Sequence, residues 1–60
     1  MSKEKILQIF QNLPEAEINR PIVSIEGKIY TWKQCIDIIK EDENSSLAKK
    51  IIEKIGEIIA

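Results

Sequence analysis

The strongest pattern in the chain is the segment from about Ser46 to Ile59, which reads as an amphipathic helix. At 100° of rotation per residue, its apolar side chains occupy an arc of about 140°. The opposite side carries lysine, glutamate and one glycine. A helix with such a stripe must bury it against other elements, and we expect the rest of the chain to cover only part of it. The apolar arc consists of Leu47, Ala48, Ile51, Ile52, Ile55, Ile58 and Ile59.

Two further segments have helical periodicity. The first runs from about Ser2 to Leu13, with Ser2 as the expected N-cap and Pro14 as the stop signal. The second follows Thr31, which stands three residues before Gln34 in the spacing of a capping box. This helix should extend to about Lys40 or Glu41. Between the first helix and the next element, the prolines at 14 and 21 bracket a linker that has room for one helical turn.

A β-hairpin is predicted over residues 22–30. Two runs rich in β-branched residues flank Glu26-Gly27-Lys28, and Gly27 can supply the positive φ that a tight turn requires. Alternation places Val23, Ile25 and Tyr30 on one face of the hairpin. Because Ile22 and Ile29 fall on the other face, we expect both faces to be at least partly covered.

These elements predict a small α+β fold in the order α-β-β-α-α, with a two-stranded antiparallel hairpin packed by amphipathic helices. The chain has 60 residues and no repeat, so residues 1–60 are expected to form a single domain. A domain of this size buries only part of its apolar surface, and association with a partner would bury more.

Composition excludes several classes of function. Cys35 is the sole cysteine and there is no histidine, so an internal disulfide, a histidine-based zinc site and a Cys-His or Ser-His-Asp nucleophile are all excluded. With two glycines, a glycine-rich phosphate loop is excluded as well. We therefore expect no enzymatic activity, no cofactor and no bound metal. No apolar run is long enough for a membrane span. The expected location is the cytoplasm, and the enrichment in Lys, Glu and Ile fits a thermophile.

Other side chains that could carry chemistry have simpler explanations. Cys35 lies on the apolar face of its predicted helix, where a free cysteine packs as a small hydrophobic residue. Trp32 and Tyr30 could stack on a ligand ring, but aromatic residues in so small a domain usually fill the core. The acidic residues Asp37, Glu41, Asp42 and Glu43 lack the spacing of a calcium loop and fit a solvated loop.

The partner expected from the sequence is a second copy of the chain or a larger protein. The apolar face of the last helix carries the candidate partner-binding residues, which are Ile51, Ile55, Ile58 and Ile59. We therefore predict a non-enzymatic protein–protein interaction module, a small regulatory or adaptor protein that self-associates through its C-terminal helix.

The alternative is a small DNA-associated transcriptional regulator that uses the last two helices. Lys49, Lys50 and Lys54 would then contact phosphates. The net charge of −1, and the glutamates at 53 and 57 on the same face, disfavour nucleic acid as a partner.

Overall fold

The computed structural model describes residues 2–59, and its element order agrees with the predicted α+β fold. The elements are α1 (Lys3–Gln11), α2 (Glu15–Ile18), β1 (Pro21–Ile25), β2 (Lys28–Thr31), α3 (Trp32–Glu41) and α4 (Ser46–Ile59). The two strands form one antiparallel sheet. The short helix α2 fills the linker between the two prolines with a single turn, and Pro14 is its N-cap.

The predicted helix starts are confirmed by their caps. The Lys5 backbone N–H donates to Ser2 Oγ at 3.3 Å at the start of α1. At α4 the cap is Ser45, whose Oγ accepts from the Ala48 N–H at 3.1 Å. Each bond satisfies one of the backbone donors that a helix leaves unpaired in its first turn.

The hairpin closes through a two-residue turn. Glu26 and Gly27 both have positive φ, 51° and 83°, which is the signature of a type I′ turn and suits the twist of the flanking strands. The register pairs Ile25 with Lys28 and Val23 with Tyr30.

The two faces of the hairpin differ in exposure. Val23 and Ile25 are buried, as the alternation predicts. The expectation that the other face is also covered holds in part for the half-buried Ile22 and is wrong for Ile29, which is 68% exposed. The described helices pack their apolar side chains with Val23 and Ile25 on one side of the sheet. They form no second layer on the side that carries Ile29.

One apolar core joins α1, β1, α3 and α4. Its fully buried members include Ile6 from α1, and the packing of α4 against both β1 and α3 closes it. No buried side-chain nitrogen or oxygen in residues 2–59 lacks a hydrogen-bond partner. Among those residues, no helix is both long and apolar enough to cross a membrane. The core consists of Ile6, Val23, Ile25, Cys35, Ile36, Ile39, Ala48, Ile51 and Ile55.

Candidate interaction surface

The four residues predicted to bind a partner do not share one surface. Ile51 and Ile55 are 0% and 1% exposed, and both belong to the core. In the folded monomer they present no surface to a partner, so only Ile58 and Ile59 of the four remain candidates. The physical reason is that β1 and α3 already cover the middle turns of α4.

Ile58 and Ile59 lie at the end of α4, where its apolar stripe extends beyond the elements that pack on the helix. Ile58 is 62% exposed and Ile59 is 39% exposed. By helical rotation Ile58 lies only about 20° from Ile51 around the helix axis, so it continues the same buried stripe. Its exposure means that the elements packed on α4 do not cover the last turn. We call Ile58 and Ile59 the α4 end.

Charged residues of both signs flank the α4 end. Lys54 Nζ lies 3.9 Å from Glu57 Oε2 on the solvent side of the helix. An exposed pair at this distance contributes little to stability. The opposite charges of this pair offset each other, so the pair itself does not repel a second copy.

A second apolar surface, not predicted from the sequence, lies between β2 and α3. It is an open groove of ≈ 450 Å³ lined by Lys28, Ile29, Tyr30, Gln34, Asp37 and Ile38. The α3 residues recur at i, i+3 and i+4, so they form one wall of the groove. The available signal was Ile29, an isoleucine on the hairpin face opposite Val23 and Ile25; Ile38 packs against the core and is half-buried. We call this surface the β2–α3 groove.

The thiol of Cys35 is packed in the core, as predicted. It is fully buried, and this burial raises its pKa to about 11. A thiol becomes a nucleophile only as the thiolate, so at neutral pH this side chain is protonated and inert. Trp32 and Tyr30 are half-buried and pack against the same core.

The lysines of α4 are partly neutralised. Lys50 Nζ donates to Glu26 Oε1 at 2.9 Å, and Lys54 has Glu57 near it. Lys49 is exposed. Carboxylates therefore accompany two of the three lysines that the DNA-binding alternative would direct at phosphates.

Two acidic residues that follow α3 form local contacts within the chain. Glu43 Oε2 forms an ion pair with Lys3 Nζ at 2.7 Å, and this bond raises the pKa of Lys3. Asp42 Oδ1 accepts from the Asn44 N–H at 3.0 Å. Across residues 2–59 there is no group of three or more acidic, cysteine or histidine side chains that could hold a metal ion.

Comparison with known protein families, curated proteins and solved structures found no significant match.

Proposed function

We propose that this protein is a non-enzymatic interaction module, a small regulatory or adaptor protein that self-associates through the α4 end. The observation that carries the proposal is the 62% exposure of Ile58 on a stripe that is otherwise buried. A large aliphatic residue that continues a core stripe into solvent gains free energy when a partner removes it from water.

A second copy of the chain is the partner that this surface fits. A two-fold contact brings the same patch of both chains together, so an apolar centre meets an apolar centre. Ile58 and Ile59 would form that centre. The flanking Lys54 and Glu57 would form a mixed-charge rim, which resembles the polar rim of protein interfaces in general.

The association should be reversible and should join folded monomers. The chain exposes 4205 Å², close to the roughly 4,000 Å² that the size scaling gives for a monomeric protein of this mass. The monomer therefore already buries an ordinary share of its surface. Replacing Ile58 should change the association and leave the fold intact.

The experiment is a comparison of two variants with the same added charge on the same helix. Ile58→Glu buries an unpaired carboxylate at the proposed contact and should give a monomer at tens of micromolar, where the parent is a dimer. Ser46→Glu places the carboxylate at an exposed position outside the apolar arc and should associate like the parent. If both variants have the mass of the parent, the α4 end is not the contact.

The alternative, that the protein is DNA-associated, can be tested with the same protein. A titration with random duplex DNA at low and moderate salt would show a steep loss of affinity with salt if phosphate contacts dominated. We expect no such binding, because Glu26 and Glu57 already accompany Lys50 and Lys54.

A further inference from the structure

The β2–α3 groove combines an apolar floor with two charged side chains of opposite sign. We propose that it is a second self-association surface, separate from the α4 end, in which two copies meet about a two-fold axis that runs along the groove. The occupant of each groove would be the β2 strand of the other copy, led by Ile29.

The apolar part of the contact centres on Ile29. Its side chain is 68% exposed, the largest exposure among the large hydrophobic residues of the described chain. Ile38 and Tyr30 line the groove beside it and are half-buried, so they offer apolar surface and remain accessible. A partner isoleucine placed between them would lose its contact with water.

The charges determine which partner fits. Lys28 lies on the strand wall and Asp37 lies on the helix wall. Neither forms an ion pair within residues 2–59, although four other ion pairs are present there. Each side chain is therefore available to a charge on another molecule.

Two-fold symmetry makes this pair of charges self-complementary. When the axis runs along the groove, rotation sets the strand wall of one copy against the helix wall of the other. Lys28 of each copy then faces Asp37 of its partner, and the contact occurs twice. A partner with one uniform charge would attract one wall and repel the other, so a second copy of this chain is the better match.

The test uses the full chain carrying Ile58→Glu, so that the α4 end takes no part in association. Sedimentation equilibrium up to hundreds of micromolar should show a monomer–dimer equilibrium for this parent. Adding Lys28→Glu should weaken the dimer about tenfold, because two attractions become two repulsions, and adding Asp37→Lys should do the same.

The decisive sample is an equimolar mixture of the two charge-reversed chains. In the mixed dimer, the glutamate introduced by Lys28→Glu faces the lysine introduced by Asp37→Lys. At the symmetry-related contact, the unchanged Asp37 of the first chain faces the unchanged Lys28 of the second. The mixture should therefore recover the affinity of the parent, and native mass spectrometry should find the mixed species. As a matched control, a mixture of Lys28→Gln and Asp37→Asn chains restores only one of the two Lys28–Asp37 contacts and should recover only part of the lost affinity.

The outcomes separate this inference from the proposed function. Three results would each contradict the groove contact. The Ile58→Glu parent could stay monomeric at every concentration, the charge reversals could leave the dimer affinity unchanged, or the mixture could bind no more tightly than its separate components. The α4 end is tested separately, by comparing the masses of chains with and without Ile58→Glu at tens of micromolar.

Discussion

The Lys50 ammonium lies 2.9 Å from the Glu26 carboxylate, so the turn of the hairpin is bonded to the helix that packs against β1. The two residues are far apart in sequence and both are exposed. Glu26 also has a φ of 51°, in the left-handed region that a glutamate adopts at some cost. The bond to Lys50 partly offsets that cost and helps to fix the hairpin on α4.

This bond predicts a specific dependence of stability on pH. The hydrogen bond from Lys50, and then its charge, lower the pKa of Glu26. A carboxyl group with a lowered folded-state pKa contributes stability above its unfolded pKa and loses it as the pH falls through the folded value. Glu26→Gln should therefore melt below the parent at neutral pH, and the gap should close below about pH 4. Glu15→Gln is the control, and an equal gap at both pH values for Glu26→Gln would contradict the assignment.

The capping box at the start of α3 gives a second prediction. Thr31 N–H donates to Gln34 Oε1 at 3.0 Å, and Gln34 N–H donates to Thr31 Oγ1 at 3.2 Å. Thr31→Ala removes the second bond and should cost about 1 kcal/mol in chemical denaturation. Thr31→Ser keeps the hydroxyl and should lose little. Equal midpoints for the alanine and serine variants would show that the cap contributes nothing.

The turn gives a third prediction. Gly27 has a φ of 83°, and a Cβ built there meets no atom within 4 Å. Any cost of substitution must then come from the backbone and not from a clash. Gly27→Val should destabilise by about 1–2 kcal/mol, while Gly27→Asn should cost less because asparagine tolerates the left-handed region. A valine variant as stable as the parent would mean that the turn adopts another conformation.

Burial of Cys35 gives a fourth prediction. With its pKa raised to about 11 and no exposed surface, the thiol should not react with a chromogenic disulfide reagent in native buffer at neutral pH. In denaturant, one thiol per chain should react. Rapid labelling of the native protein would contradict the packing of α3 on the core.

Much of the fold was predictable because its signals are local. The Thr31–Gln34 spacing, the glycine in the turn and the periodicity of α4 each act within a few residues, and all three features appear as expected. The order of elements followed from reading these signals along the chain.

The candidate site was less predictable because exposure depends on distant parts of the chain. Ile51 and Ile58 lie on the same stripe by rotation, and nothing in the stripe itself tells which turn β1 and α3 will cover. Ile29 illustrates the same limit, since the alternation of a strand assigns a face but not whether a second layer covers that face. In both cases, the exposure of the side chain depends on which elements pack together in the tertiary structure.

The most direct test of the central claim is the mass of the unmodified chain in solution. Light scattering coupled to size exclusion, at tens of micromolar, should give a particle of two chains whose mass falls toward one chain on dilution. A mass of one chain at every concentration, together with a sharp thermal transition, would mean that Ile58 is simply exposed and that the protein does not self-associate.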